Sequence, residues 1–519
     1  MANTASEPAE RNLELVHNLL LPTLFFAALG GMSWAVRGCA GFGGSAGCIF
    51  AGVLWGTAWW FAARHRATAS DADWAWPARR YTSGWIVLAL TVGIGLSGAR
   101  GWMQWSSFFE GKLQTDYAAG EYVPISRTYG FVWLFIAGMP WAGIGACMLA
   151  WCSPLRTTRA WHWGLRIACG LGVAALGLVL FKNFPQFFMP LYEEHLDRYQ
   201  DLANNPNLRR LTNDNRNAIM HLGLYLGFLL YEVGRRDWKN VVLIATVGIV
   251  NGIGWALCQN WKWHADAWPG TSFNWWRCWE SSGGISIGIA YGVAFFLVNR
   301  PMRTAEREAL RARRSLNVPS FEWLAVYLGL TALLILPAFF EAHWTSELLL
   351  AAVALFGIAY YWRNSNHHST AEQLPRANGD ANLERFGLGL GLLLGLGFSL
   401  SNGLRGYLLI HGGDEAYYDR LLWQIVGPAM LVLLVALGAW ILRRPLPKDF
   451  AGDAFPRAVG IVWLVLIWQN VLAQGVTGPW SAWPEFAFAV YYVLLFLITA
   501  VIVVHYSERA RRTDQTALN

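Results

Sequence analysis

Long apolar stretches alternate with short charged segments along almost the whole chain. About fourteen of these stretches are roughly twenty residues long, the length that a helix needs to cross a bilayer. Because a hydrocarbon core offers no water to backbone groups, helices are the spanning structure that such stretches predict. The predicted spans cover approximately 15–36, 43–64, 83–100, 129–152, 160–181, 217–234, 240–258, 282–300, 321–341, 345–363, 385–410, 420–443, 458–476 and 485–506. The sequence therefore predicts an all-α polytopic integral membrane protein whose main partner is the lipid bilayer.

The composition supports this class and argues against a nucleic-acid partner. Of the 519 residues, 55% are hydrophobic and only 14% are charged, more apolar material than a soluble protein of this length needs. The 31 tryptophans fit a membrane protein, since Trp favours the membrane–water interface. The net charge of +7 follows from basic cytoplasmic loops, and no soluble segment interleaves a basic patch with aromatic residues.

Lysine and arginine are concentrated after the even-numbered spans, which predicts the orientation. Arg64 and Arg66 follow the second span, Arg235 and Arg236 follow the sixth, and a run of arginines begins at Arg300. By the positive-inside rule these ends are cytoplasmic, so both termini are predicted in the cytoplasm and the chain in the inner membrane. The predicted divisions are a cytoplasmic tail (1–14), hairpins one to four (15–300, with external loops 101–128, 182–216 and 259–281), a charged cytoplasmic linker (301–320), hairpins five to seven (321–506) and a cytoplasmic tail (507–519).

One helical hairpin is repeated along the chain. GGMSWAVRG at 30–38 leads to GGSAGCIFAG at 43–52, and NGIGWALCQNW at 251–261 leads to GGISIGIAYG at 283–292. Related pairs of stretches begin at 93 and 397. The self-similarity predicts a fold built by multiplying one hairpin. Its glycines and alanines allow close packing of membrane helices.

Three arginines, Arg37, Arg100 and Arg405, follow glycine-rich ends of odd-numbered spans. A buried arginine in a membrane is costly and usually faces a cavity, a partner or a substrate. Its planar guanidinium binds carboxylate, phosphate or sulfate groups through paired hydrogen bonds, so the three are a candidate anion clamp. The alternative is that they extend to the outer headgroups without binding a solute.

The connection within 251–292 is dense in tryptophan. It contains Trp255, Trp261, Trp263, Trp268, Trp275, Trp276 and Trp279. These residues form either an interfacial belt or a lid on which a sugar ring or planar ligand lies. Cys258 and Cys278 both fall in this outer region, where a disulfide is compatible with the compartment.

The candidate substrate-binding set combines the arginines with polar and aromatic residues near the same predicted depth. It consists of Arg37, Arg100, Arg405, Trp34, Trp255, Asn251, Gln259, Asn402, Asn470, Gln474, Trp263, Trp268, Glu341 and His343. Glu341 and His343 form either a proton-handling pair or an ordinary loop pair. His264 and Asp266 have no further ligand at metal spacing, so no metal site or cofactor is predicted.

The leading functional hypothesis is a transporter or permease for a polar, anionic or sugar-like solute, because repeated glycine-rich helices with polar residues at their interface are typical of carriers. The predicted spans hold almost no carboxylate at mid-depth, which argues against ion coupling. Two alternatives stay open. One is a membrane enzyme acting on a lipid-linked or glycan substrate at the outer face, with His343, Glu341 or His264 as acid or base. The other is a membrane subunit that docks a partner through the tryptophan loop. Assembly into a homo-oligomer or with a protein partner also stays open.

Overall fold

The computed structural model describes residues 15–39, 44–65, 79–97, 107–153, 160–270, 275–300, 305–306, 308 and 483–518. These residues are mostly helical. The ninth to thirteenth predicted spans and most of the linker at 301–320 lie outside the described residues, so the number of spans stays a prediction.

The helices are numbered in chain order. They are α1 Leu21–Cys39, α2 Gly44–His65, α3 Trp85–Ser97, α4 Thr128–Trp151, α5 Ala160–Asn183, α6 Leu196–Gln200, α7 Pro206–Gly234, α8 Trp238–Cys258, α9 His264–Ala267, α10 Trp275–Val298 and α11 Trp483–Leu518. A π-helical turn, Val16–Leu20, precedes α1, and 3-10 turns lie at Pro185–Phe187 and Gln259–Trp263. Strands β1 Lys112–Asp116 and β2 Glu121–Pro124 pair antiparallel, which adds a small sheet to the all-α prediction.

Within the described residues, six helical segments are long and apolar enough to cross a membrane. They are Val16–Trp34, Thr128–Trp151, Trp161–Asn183, Trp238–Trp263, Trp275–Val298 and Phe486–Tyr506. Two shorter apolar helical segments, Cys48–Ala63 and Trp85–Ser97, accompany them. This arrangement fits the predicted integral membrane protein.

Two helices begin earlier than the predicted spans. Helix α7 starts at Pro206 because its polar first turns are amphipathic, and Leu208 and Leu211 are each only 1% exposed. Helix α10 starts at Trp275, inside the stretch predicted as loop, so Arg277 and Glu280 belong to a helix with strong membrane-spanning character. A search for apolar runs omits both starts, since charged residues interrupt the runs.

Neighbouring helices form the predicted hairpins and then pack together. Helix α1 packs against α2, α3 against α4, α5 against α7, and α8 against α10. The hairpins are joined by α1 against α10 and by α4 against α8. Helix α11 packs mainly against α1, so the last helix of the chain returns to the first.

The bundle has two distinct ends. At the Trp-loop end, where α8 ends and α10 begins, Lys262 contacts Glu110 at 2.5 Å and Arg198 contacts Asp116 at 2.9 Å. Burial alone would raise the pKa of Glu110, but its contacts with Lys112 and Lys262 outweigh burial and hold that pKa below its usual value.

At the opposite end, the network end, a buried ionic network joins the segments that follow α2, α4 and α7. Arg80 donates to the Ser153 carbonyl at 2.6 Å and to the Asp237 carboxylate. Tyr506 of α11 donates to the carbonyl of His17, at the start of the first helical segment, at 3.1 Å. The described segments after the second, fourth and sixth predicted spans therefore share one end, and the start of the first predicted span and the end of the last lie together.

Helices α1 and α10 touch backbone to backbone. A Cβ added to Gly284 would lie 2.1 Å from the Gly30 carbonyl oxygen, and one added to Gly288 would lie 2.3 Å from the Phe26 carbonyl oxygen. These contacts fix an antiparallel register in which position 34 is level with position 280, and position 37 is level with position 277.

Candidate functional site

Four tryptophans form a continuous buried stack through the helices. Their ring centroids lie 5.3 Å apart for Trp34 and Trp141, 4.5 Å for Trp141 and Trp255, and 5.0 Å for Trp255 and Trp279. None is more than 4% exposed. Tilted aromatic pairs of this kind contribute about 0.5–1.5 kcal/mol each beyond burial. Trp34 and Trp255, both predicted to bind substrate, are thus core residues that join α1 and α8.

The remaining tryptophans of the loop divide between packing and exposure. The Trp263 ring lies 6.3 Å from Phe109 and 5.3 Å from the Arg127 guanidinium, so it anchors the segments beside the β-hairpin. Trp268 is 56% exposed and lies 6.3 Å from Trp261. Of the two predicted lid residues, Trp268 is therefore the more exposed.

Asn251 is a hydrogen-bonded tie between helices. Its amide nitrogen donates to the Gly138 carbonyl of α4 at 2.6 Å, and its amide oxygen accepts from Ser286 of α10 at 3.4 Å. The side chain is fully buried, and both amide atoms are used. Asn251 therefore positions three helices.

Gln259 is buried without any such partner. It begins the 3-10 turn after α8, is 1% exposed, and neither its amide nitrogen nor its amide oxygen has a hydrogen-bond partner in the described part of the chain. A buried polar group left unpaired costs about 1–3 kcal/mol. An amide held at that cost is one that a bound molecule can satisfy.

The helix register identifies the neighbours of Gln259. Cys258 hydrogen-bonds Ser282, and Gly254 lies against Ser286, so Gln259 is level with Ser281 of α10, the residue next to Glu280. Trp279, which is fully buried, also has an indole N–H without a partner among the described residues.

Two buried charges complete the site. Arg277 and Glu280 are each 2% exposed, and the Arg277 guanidinium lies 4.7 Å from the Phe488 ring of α11. We call Gln259, Arg277, Trp279 and Glu280 the Gln259 cluster. Its members lie at neighbouring levels of the bundle, with Trp279 packed on Trp255 of α8 and Arg277 on Phe488 of α11. Together they are a cation, a carboxylate, an indole N–H and an amide, groups that hydrogen-bond polar solutes.

Ser281 fixes the helices beside this cluster. Its hydroxyl donates to the Gly31 carbonyl at 2.9 Å and lies 2.7 Å from the Tyr491 hydroxyl. Helices α1, α10 and α11 are therefore held together one residue away from Glu280.

The predicted arginine clamp is only partly within the described residues. Arg37 lies near the end of α1, and the register places that position level with Arg277. The other predicted residues beyond the described ranges are Arg100, Arg405, Asn402, Asn470, Gln474, Glu341 and His343. Convergence of the three arginines stays a prediction.

The cysteines and the histidine of the tryptophan loop have structural surroundings. Cys258 and Cys278 are both free thiols, so the structure has no disulfide between them. A ring nitrogen of His264 lies 3.2 Å from the Trp261 carbonyl and helps to close the loop. Within the described residues, no group of three or more His, Cys, Asp or Glu is placed to hold a metal ion.

The ionic network at the other end was not predicted. Arg80 pairs with Asp237, Asn240 accepts from Arg80 at 3.0 Å and donates to Glu232 at 2.9 Å, and Arg166 donates to Glu232 at 2.9 Å. Arg80 and Asp237 are 157 positions apart, so sequence spacing carries no signal for the pair. The sequence does contain one signal for a polar network, because three acidic or amide residues lie within 232–240, beside basic residues.

No protein-family model, curated protein or solved structure matches this chain. We therefore infer the function from the geometry of the Gln259 cluster and from the pattern of the sequence.

Proposed function

We propose that this protein is a membrane carrier for a polar solute, anionic or sugar-like, and that the solute binds at the Gln259 cluster. The observation that carries the proposal is the buried Gln259 amide without a partner among the described residues. An amide both donates and accepts, so it suits a hydroxyl or a carboxylate. The unpaired indole N–H of Trp279 adds a second donor on the facing helix.

The buried charges support a transport role. Ionisable residues inside membrane-spanning helices are expensive and usually line a substrate or ion pathway. Glu280 supplies a carboxylate in the second turn of a candidate span, near the Trp-loop end rather than at mid-depth, and the predicted spans omit it because they place the start of α10 in a loop. In this proposal Arg277 and the predicted arginines attract the anionic or hydroxyl-bearing solute, and Glu280 offers a site for a coupling cation.

The repeated hairpins support the same role. Carriers commonly place their binding site where repeats meet and where helices end or break. Here α8 ends at Cys258 and a 3-10 turn follows, so Gln259 sits at a helix end. The Trp-loop end is proposed to face outward, with Trp268 at the entrance and the network end toward the cytoplasm.

Uptake into proteoliposomes tests the proposal. The purified chain is reconstituted and supplied with radiolabelled glucose, gluconate or sulfate, which represent sugar-like, carboxylate and inorganic anionic solutes. We expect saturable uptake of at least one of them above that of protein-free liposomes. Gln259→Met, which keeps the size of the side chain but removes the amide, should reduce that uptake at least tenfold.

The matched control is Gln200→Met, the same substitution at an exposed position of α6. It should leave uptake unchanged. The carrier proposal is wrong if none of the three solutes enters beyond the protein-free level, and the assignment of the site is wrong if Gln259→Met transports as well as Gln200→Met.

A further inference from the structure

A second cluster of unpaired donors surrounds Arg166 at the network end. The Arg166 side chain is 2% exposed, and its Nη2 donates to Glu232 at 2.9 Å. Its Nε and Nη1 have no hydrogen-bond partner in the ranges that the structure describes. Two nitrogen donors of this buried guanidinium are therefore available to hydrogen-bond a further acceptor.

Three aromatic rings enclose the guanidinium. Its central carbon lies 5.1 Å from the Trp151 ring, 4.6 Å from the Trp163 ring and 4.8 Å from the Tyr231 ring. These cation–π contacts stabilise the charge but do not use its N–H groups. The two indole nitrogens and the Tyr231 hydroxyl are themselves buried, with no partner among the described residues.

The cluster therefore holds more donors than acceptors. Both oxygens of Glu232 are already engaged, one by Arg166 and the other by Asn240 at 2.9 Å. The unused groups are four N–H donors and one hydroxyl. An oxyanion with several acceptor oxygens is the ligand class that satisfies such a set.

Further positive charge lies between this cluster and the surface. Arg235, which is half-buried, lies 2.9 Å from the Nε2 of His162 and interacts electrostatically with Tyr231. The next residue, Arg236, is exposed. Two cations therefore mark a route from the surface toward Arg166.

The surface beside the Arg166 cluster is apolar, as expected for a surface that contacts lipid. Among the described residues, α5 exposes an apolar face that includes Leu165, Leu171 and Leu176, and Trp161 at its start is 60% exposed. An exposed tryptophan at a helix end is typical of the headgroup level. Acyl chains along α5 would place a lipid phosphate beside Arg235 and His162.

We infer that the Arg166 cluster binds a phosphate group, supplied in the membrane by the headgroup of an anionic lipid. The site is separate from the Gln259 cluster, so the inference does not rest on the proposed transport function. Arginine suits the role because its fork presents parallel N–H groups to phosphate oxygens. Basic pockets between membrane helices bind anionic headgroups in the same way.

Thermal unfolding of the full chain in neutral detergent tests the inference. The unfolding midpoint is measured against increasing phosphatidylglycerol, phosphatidylcholine or inorganic phosphate. Phosphatidylglycerol should raise the midpoint saturably, and phosphatidylcholine should not. Arg235→Gln should need roughly tenfold more phosphatidylglycerol for half the shift, since it loses one charged hydrogen bond.

Two further variants make the result decisive. Tyr231→Phe removes only a hydroxyl and should also weaken the response, whereas Lys182→Gln, an exposed cation at the other end of α5, should respond as the natural chain does. Arg166 itself is left intact because its loss would leave Glu232 buried without its cation.

The two sources of phosphate give different results. A shift with phosphatidylglycerol alone identifies the lipid headgroup, and an equal, Arg235-dependent shift with inorganic phosphate identifies free phosphate. The inference is overturned if neither compound shifts the midpoint, or if Arg235→Gln and Tyr231→Phe both respond like Lys182→Gln.

Discussion

Gln259 and Asn251 are two buried amides, at the end and in the interior of α8, and only one of them is hydrogen-bonded. Asn251 ties α4 and α10 to α8, whereas the Gln259 amide has no partner in the described residues. Sequence analysis placed both in one binding set, because an amide reads the same in a sequence whether it is paired or not. Their different environments separate a structural residue from a candidate binding residue.

This difference predicts opposite effects on stability. Gln259→Met should raise the stability of the solute-free protein by about 1 kcal/mol, because it removes an unpaired buried group. Asn251→Leu should lower stability by about 0.5–2 kcal/mol, the range for hydrogen bonds between membrane helices. Thermal or urea unfolding of both variants in detergent measures the two changes. A loss of stability in Gln259→Met would show that the amide is structural.

At the scale of the elements, the glycine contact between α1 and α10 sets the level of the α10 residues of the Gln259 cluster relative to α1. Gly30 and Gly284 meet where any side chain would strike the opposite backbone. The repeated GG pairs in the sequence predicted close helix packing. A single sequence does not show which glycines meet, because the register is set between helices that are far apart in the chain.

Gly284→Ala should therefore destabilise the protein by about 1–3 kcal/mol, or separate α1 from α10, because overpacking at a tight contact costs that much. The matched control is Gly172→Ala in α5, where an added Cβ would meet nothing within 4 Å. That change should be neutral or slightly stabilising, since alanine favours a helix. Unfolding midpoints and size-exclusion profiles in detergent compare the two, and equal behaviour would contradict the contact.

Apolar runs predicted the described helices well, and they failed where polar residues begin a helix. The starts of α7 and α10 carry Arg, Asp and Glu, so hydropathy placed them in loops. The short sheet was missed for a related reason: the segments KLQTD and EYVP are too polar to stand out against membrane helices. Prediction from apolar runs therefore misses buried charged residues such as Glu280.

At the scale of the whole molecule, the two ends of the bundle have different chemistry. The network end holds the helices together through buried ion pairs centred on Arg80 and Asp237, and it also carries the unpaired donors of the Arg166 cluster. The Trp-loop end holds the unpaired Gln259 and Trp279 groups. In the proposed carrier, the Trp-loop end would bind the solute and the ion pairs of the network end would hold the helices together.

The sequence pointed to the end of the bundle that carries the candidate site but to only one of the four members of the Gln259 cluster. Gln259 was predicted, whereas Arg277, Trp279 and Glu280 entered only as loop residues or not at all. The opposite end was missed because its partners are far apart in the chain, as with Arg166 and Glu232, which are 66 positions apart. Charge patterning gave the relative arrangement of the helix ends, because it depends on local sequence alone.

Density for a bound solute beside Gln259 is the measurement that tests the central claim most directly. Electron cryo-microscopy maps of the protein in lipid nanodiscs would be compared with and without whichever of glucose, gluconate or sulfate is taken up. The account predicts added density within about 3 Å of the Gln259 amide, the distance of a hydrogen bond. A map in which that amide is paired with other residues of the chain, with no added density, would contradict it.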